Sequence, residues 1–145
     1  MHLVNTEKMS IVKDRSLFAI LLGSVVLFAA LSCETQTYQG GERLYKTMCA
    51  NCHMDSGEGL GTLIPPLAGS DYLGKNIDKL PCIVRYGLRD SITVNGKVYK
   101  ENMAGMPGLS DIQVTNLLNY VNSAWGNHLP PYSFEEVQRL MAQCR

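Results

Sequence analysis

Five consecutive residues in the first half of the chain carry the clearest chemical signal: Cys49-Ala50-Asn51-Cys52-His53. This C-x-x-C-H pattern is the attachment signature of c-type haem. Two thiols three residues apart on a helical turn can each add to one vinyl group of haem, which forms two thioether bonds. The histidine that follows lies beneath the iron and offers a neutral imidazole as its proximal ligand. The motif therefore predicts one covalent haem held by Cys49, Cys52 and His53.

Two other uses of paired cysteines compete with this interpretation. A structural zinc site needs four Cys or His ligands, usually as two spaced pairs, and the sequence has one such pair. A thioredoxin-like dithiol follows a strand in a βαβ unit and does not need His53. The motif here follows an amphipathic helical stretch instead, so the pattern favours haem over both.

The elements that must position this motif are helices. Tyr45 precedes Cys49 by four residues, which is helical spacing. A later helix is predicted to open at Ser110, which forms a capping box with Gln113, and to stop at Gly126. Its apolar residues recur every three or four positions: Val114, Leu117, Leu118, Val121 and Trp125.

With these features, the stretch from residue 40 to residue 126 resembles the class I cytochrome c family. The resemblance implies an all-α cytochrome c fold around one covalent haem. It also implies that Gly41 and Tyr45 of the first helix pack against Tyr120 of the last. A Pro-x-Leu segment that begins at Pro65 is expected to pass the proximal side. There the Pro65 carbonyl would accept the hydrogen bond of the second ring nitrogen of His53, which orients the ring.

An electron carrier of this family usually has methionine as the distal iron ligand, and the resemblance leaves two candidates, Met103 and Met106. The proline after Met106 matches a common family pattern. Met103 instead keeps the usual spacing to the last helix, since it precedes Leu109 by six residues and Met106 precedes it by only three. At about 3.3–3.6 Å per extended residue, three residues leave little chain between the iron and the helix. We expect Met103 to be the ligand and Met106 to line the distal pocket, with Met106 as the alternative ligand.

A small β-hairpin is predicted between the proximal and distal segments. Residues 92–99 place β-branched side chains on both sides of Asn95-Gly96, and Asn-Gly is the strongest short hairpin signal. Before the hairpin, Asp78 is expected to cap a short helix that tolerates Pro81 in its first turn and ends at Gly87.

Three residues of this middle segment are candidate partners for the haem propionates: Arg85, Arg89 and Tyr99. Arginine forks suit carboxylates because they donate two parallel hydrogen bonds. The alternative is that the arginines are ordinary solvated charges and that Tyr99 only packs within the hairpin.

The N-terminal residues have the features of an export signal. Residues 17–31 form a 15-residue run without a charge, which fits the core of a signal peptide better than a spanning helix of about 20 residues. The run ends in Ala30-Leu31-Ser32-Cys33, which resembles a bacterial lipobox, although leucine usually stands three places before the cysteine. The resemblance implies that Cys33 is acylated after residues 1–32 are removed. An uncleaved anchor or a soluble secreted protein is the alternative.

Two of the five cysteines then remain, Cys82 and Cys144. In an oxidising compartment they are predicted to form a disulfide, and two separate buried thiols are the alternative. Cys144 lies on the apolar face of a predicted extra helix, which opens with a second capping box formed by Ser133 and Glu136.

The composition excludes several other classes of protein. The chain has 145 residues, of which 46% are hydrophobic and 18% are charged, with a formal net charge of zero. These values exclude a disordered tail, a collagen and a nucleic-acid binder that relies on bulk positive charge. The predicted organisation is a lipoprotein signal peptide (1–32), a polar tether (33–39), a cytochrome c domain (40–126) and a C-terminal helical extension (127–145).

The resemblance implies a membrane-tethered monohaem c-type cytochrome, not an enzyme, which transfers single electrons between respiratory partners. The expected partners are a quinol-oxidising complex, a terminal oxidase or a reductase, with no nucleic acid. The expected location is the extracytoplasmic face of a bacterial membrane, on the periplasmic side or the outer membrane. A fixed haem subunit of such a complex is one alternative, and a haem enzyme or gas sensor with an open sixth site is another.

Overall fold

The computed structural model describes residues 36–144 of the chain. The helices of this part are α1 Gln36–Met48, α2 Ala50–His53, α3 Asp71–Lys75, α4 Leu80–Tyr86, α5 Asp111–Ser123 and α6 Phe134–Met141. The strands are β1 Gly87–Leu88, β2 Ile92–Val94, β3 Lys97–Tyr99 and β4 Met103–Ala104, and 3₁₀ turns span Ile77–Lys79 and Ala124–Gly126. Among residues 36–144, no helix has the length and apolar character needed to cross a bilayer. The predicted signal peptide and Cys33 lie outside the described residues.

Helix α5 organises the core of this mostly helical domain. The predicted capping box starts it, since the Gln113 amide donates to the Ser110 hydroxyl and the Ser110 amide donates to the Gln113 side chain. Four helices contribute side chains that are at least nine-tenths buried around its apolar face: Tyr45 from α1, Leu80 and Val84 from α4, Val114, Leu117, Leu118 and Val121 from α5, and Val137 and Leu140 from α6.

Helix α1 crosses α5 at very short range, as the family resemblance implies. A Cβ atom on Gly41 would lie 2.1 Å from the Asn116 carbonyl oxygen, so any larger residue would force the helices apart. One turn further on, Tyr45 is fully buried and its ring centroid lies 5.5 Å from that of Tyr120. This crossing fixes the end of α1, where the cysteine motif begins.

Two antiparallel strand pairs complete the domain. Strands β2 and β3 form the predicted hairpin, in which Asn95 and Gly96 both adopt left-handed backbone angles, with φ of 49° and 77°. Strands β1 and β4 form a second pair that the sequence does not predict, and it places Leu88 opposite Met103. Segments of two residues are too short for a recognisable alternation of polar and apolar side chains.

Two predicted helix boundaries are wrong, the start of α4 and the end of α5. Helix α1 begins at Gln36, so residues 36–39 of the predicted tether are helical. Asp78 lies inside a 3₁₀ turn and does not cap α4; Lys79 holds the cap position without a side-chain bond. The remaining features of α4 are as expected, with Pro81 in its first turn and Gly87 at its end.

The last core helix also ends earlier than predicted. Helix α5 stops at Ser123, and the 3₁₀ turn that follows carries Trp125 in a left-handed conformation with φ of 52°. The Trp125 ring lies directly over Gly57, where a Cβ atom would be 2.6 Å from it, and its Nε1 donates to the Asp55 carbonyl. The left-handed backbone at Trp125 cannot continue an α-helix, and its ring contacts the segment after the cysteine motif.

The C-terminal extension docks on the domain through both covalent and polar contacts. Cys82 of α4 and Cys144, just after α6, are joined in a disulfide with an S–S distance of 2.00 Å. The buried Tyr132 donates a hydrogen bond from its hydroxyl to the Ile77 carbonyl. Its amide donates to Asn119 Oδ1, and its carbonyl accepts from Asn119 Nδ2. The Ser133 hydroxyl accepts the Glu136 amide at the start of α6.

Candidate functional site

The cysteine motif lies at the junction of α1 and α2. The Cys49 amide donates to the Tyr45 carbonyl, and the His53 amide donates to the Cys49 carbonyl at 2.9 Å. This continuous turn places Cys49 partly inside the protein, Cys52 at the surface, and His53 buried at 9% exposure. Burial, with a smaller contribution from nearby Cys52, raises the pKa of Cys49 to about 11, so its sulfur is a thiol at neutral pH.

The His53 ring is held in one tautomer. Its Nδ1 lies 3.0 Å from the Pro65 carbonyl oxygen, which is the contact that the resemblance implies. Because a carbonyl only accepts hydrogen bonds, Nδ1 carries the proton and Nε2 keeps its lone pair. Burial lowers the pKa of His53 below its ordinary value, partly offset by the Pro65 bond, so the ring is neutral. A neutral imidazole with a directed lone pair is the form that binds a metal.

An apolar cavity joins the cysteine motif to the two candidate methionines. It encloses about 700 Å³ between its walls, counting the part open to solvent. Its lining is almost entirely carbon and sulfur and includes Cys49, His53, Pro65, Leu67, Ile83, Val84, Val94, Met103, Met106, Leu117 and Leu118. An adjoining opening shares several of these lining residues and is also lined by Cys52 and Tyr99.

These residues fit a covalent haem. The motif supplies two thiols outside the disulfide and one imidazole nitrogen with its lone pair, and Met103 and Met106 line the same cavity. Imidazole and thioether are the axial ligands of cytochromes c. The apolar walls match a flat, largely hydrophobic ring, and the opening beside Cys52 leaves one edge of the site near solvent.

The two methionines are held differently. Met103 lies in β4, where its backbone pairs with Leu88, and its side chain lines the cavity. Met106 also lines the cavity, but its side chain packs partly against the hydrophobic core and its amide donates to the Val84 carbonyl at 2.9 Å. Both methionines therefore line the site, and Met106 has an additional packing role.

The three candidate propionate partners separate in the structure. Tyr99 is buried and lines the opening of the cavity. Arg89 is exposed and does not line the cavity. The Arg85 guanidinium lies 2.8 Å from the Asp111 carboxylate at the start of α5, so this arginine ties α4 to α5. Arg85 lines neither the cavity nor its opening, and its contact with a propionate stays a prediction.

The hairpin is held over the cavity by a pairing of Asn95 with Asp71 that the sequence does not predict. The Asn95 amide donates to the Asp71 carboxylate, and the Asp71 amide donates to the Asn95 side chain. The Asn95 bond and then the Lys75 ammonium lower the pKa of Asp71. These two hydrogen bonds hold the hairpin where Val94, which is 1% exposed, lines the cavity. Neither Asp71 nor Asn95 follows a spacing rule that would have revealed this pairing.

Comparisons with known proteins agree with this geometry. A family model described as cytochrome c matches residues 38–125. One cytochrome c-552 of Thermus thermophilus is 32% identical over 139 residues, which cover 89% of this chain and 87% of that protein. A second cytochrome c-552 from Thermus thermophilus is 33% identical over 71% of this chain and 85% of its own length. The cytochrome c subunit of a quinone alcohol dehydrogenase from Gluconobacter oxydans is 31% identical over 69% of this chain and 21% of that subunit.

Proposed function

The chain belongs to the cytochrome c family as a class I c-type cytochrome with covalently bound haem c, and from this we propose that it shuttles single electrons between membrane-bound respiratory partners. The observation that carries the proposal is one apolar cavity lined by His53 and by two methionines, Met103 and Met106. When bound between imidazole and thioether, haem iron cycles between two oxidation states and has no open position for substrate.

Each residue of the site has a defined task in this function. Cys49 and Cys52 hold the haem through thioether bonds, and His53 is the proximal ligand, oriented by the Pro65 carbonyl. Met103 would be the distal ligand, because it lines the cavity and, unlike Met106, is not packed against the hydrophobic core. Met106 packs beside it as part of the wall. Tyr99 is the propionate partner at the opening of the cavity.

The cavity walls keep the reaction to electron transfer. Val84, Val94, Leu117 and Leu118 line it and are at least nine-tenths buried. Their apolar surface excludes water from the iron ligands, which limits the reorganisation that accompanies a change of charge. A thioether in the sixth position stabilises the reduced iron and raises the reduction potential.

The optical spectrum of the purified full-length protein in both redox states tests this function. We expect low-spin spectra with a methionine–iron charge-transfer band in the oxidised state, and haem that stays with the protein on acidic organic extraction. The reduced protein should not bind carbon monoxide without denaturant. Rapid carbon monoxide binding with a high-spin spectrum would overturn the electron-carrier proposal in favour of a haem enzyme or gas sensor.

The membrane tether is a separate part of the proposal and rests on the lipobox-like sequence at Cys33. Stable anchoring takes several acyl chains, each CH₂ contributing about 0.8 kcal/mol on burial. In a bacterial host that processes lipoproteins, we expect the wild type in the extracytoplasmic membrane fraction. Cys33→Ser should not be acylated, and a Ser32→Ala control should leave acylation unchanged. Equal acylation of wild type and Cys33→Ser would contradict the tether.

A fixed subunit of a larger complex is the second candidate function. It is supported by the likeness to the cytochrome c subunit of a quinone alcohol dehydrogenase and by the docked C-terminal extension. Mild detergent extraction followed by native gel electrophoresis separates the two. A shuttle migrates alone and is reduced reversibly by its partner, whereas a subunit co-migrates with oxidoreductase subunits through extraction.

A further inference from the structure

A buried asparagine outside the matched family region joins the end of α5 to the proximal segment. Asn127 is 7% exposed, and the family match ends at residue 125. Its Oδ1 accepts the Gly69 amide at 2.9 Å, and its Nδ2 donates to the Leu67 carbonyl at 3.0 Å and to the Val121 carbonyl at 2.8 Å. Both amide hydrogens and the oxygen are therefore used within the protein.

These bonds hold the segment that orients the histidine. Leu67 is two residues after Pro65, whose carbonyl accepts from His53 Nδ1. The intervening residue is also a proline, so its φ is fixed and the chain between Leu67 and Pro65 is stiff. From the other side, the Leu67 and Ala68 amides both donate to the Gly57 carbonyl, at 2.7 and 2.9 Å. A shift of Leu67 is thus transmitted to the Pro65 carbonyl.

We propose that Asn127 is a positioning residue for the proximal ligand, which acts through the Leu67 backbone to keep the Pro65 carbonyl on His53 Nδ1. The inference rests on the proposed role of His53 as the iron ligand. A hydrogen bond from Nδ1 makes the imidazole a more basic ligand, and basic ligands favour the oxidised iron. Loosening the segment should therefore favour the reduced state and raise the reduction potential.

The test compares two buried asparagines at the C-terminal end of α5. Asn127→Ala removes the contacts to the proximal segment. Asn122→Ala is the matched control, because Asn122 is 1% exposed and its Nδ2 donates to the Pro130 carbonyl at 2.8 Å, in the extension. Asn127→Ala removes three hydrogen bonds, to Gly69, Leu67 and Val121, and Asn122→Ala removes one, so Asn127→Ala should lose more stability, and the comparison rests on the haem readouts.

Only Asn127→Ala should change the proximal side. At a fixed ambient potential we expect its ratio of reduced to oxidised protein to rise by up to tenfold, which corresponds to about 59 mV for a one-electron couple. In the reduced protein, NMR should show the His53 Nδ1 proton exchanging with solvent at least tenfold faster. Asn127→Asp keeps the acceptor for Gly69 and loses both donated bonds, so its His53 ring proton should also exchange faster than in the wild type.

Equal shifts in Asn127→Ala and Asn122→Ala, or none in either, would overturn the inference. If the Asn127 variants do not fold, hydrogen exchange in the wild type decides instead. Exchange of the Gly69 amide and of the His53 ring proton should then require openings of similar free energy. A Gly69 amide that exchanges much faster than a protected ring proton would refute the coupling. A wild type without a low-spin c-type spectrum would instead refute the proposed function.

Discussion

At the residue scale, the distal ligand is a choice between two sulfurs in one cavity. Met103 lies in a strand and lines the cavity, while Met106 lines the cavity and also packs against the core. The sequence spacing to the last helix and the packing of the side chains favour the same residue, for independent reasons.

Replacing each methionine by alanine should give opposite signatures. Met103→Ala is expected to lose the methionine–iron charge-transfer band, bind carbon monoxide when reduced, and have a lower reduction potential, because the thioether no longer stabilises reduced iron. Met106→Ala should keep the band and lose about 2 kcal/mol of unfolding free energy through lost packing. Optical spectra and guanidinium unfolding measure both. A band that persists in Met103→Ala and vanishes in Met106→Ala would reverse the assignment.

Much of the site was predictable at this scale because its residues are adjacent or follow a family pattern. The cysteine motif and Pro65 are of this kind, and the structure brings His53 and Pro65 together. The contacts of Arg85 and Asn127 were not predictable, because their partners lie 26 and about 60 residues away in sequence and no local spacing indicates them. Long-range polar pairs depend on how the chain packs, which a single sequence does not display.

At the element scale, the junction between α4 and β4 controls where the distal segment lies. The Met106 amide donates to the Val84 carbonyl, and β1, which continues α4, pairs with β4. Gly105 fits between these elements with no room for a side chain, since a Cβ atom would lie 2.4 Å from the Tyr86 backbone carbon. The hairpin was predictable from its Asn-Gly turn, but this junction, built from two-residue strands, was not.

A single methyl group at Gly105 should therefore disturb the distal ligand. Gly105→Ala is expected to lower the unfolding free energy by about 1–3 kcal/mol, the usual cost of overpacking, and to weaken the charge-transfer band. Gly108→Ala is the control, because a Cβ atom there meets nothing within 4 Å. It should be neutral or gain about 0.4–1 kcal/mol, since alanine restricts the unfolded chain. An unchanged band in Gly105→Ala would show that β4 does not position Met103.

At the scale of the whole molecule, the C-terminal extension is fastened to the haem-binding domain at two ends. Asn122 and Asn119 bind its first residues, and the disulfide between Cys82 and Cys144 binds its last. Cys82 belongs to α4, whose other face lines the cavity through Ile83 and Val84. The extension thus supports the outer face of a cavity wall, which matters in a small domain with limited apolar surface of its own.

Removing the disulfide should destabilise the domain without changing the haem ligands. The bridge joins residues 62 apart, and the chain-entropy model gives about 4 kcal/mol for a loop of that size. Guanidinium unfolding of the oxidised protein should report this loss for Cys82→Ala, for Cys144→Ala and for the double variant. Because either substitution alone already opens the loop, the double variant should cost little more than each single one. Two separate buried thiols would instead give losses that add, within about 0.5 kcal/mol, and additive losses would therefore argue against a bridge in the folded protein.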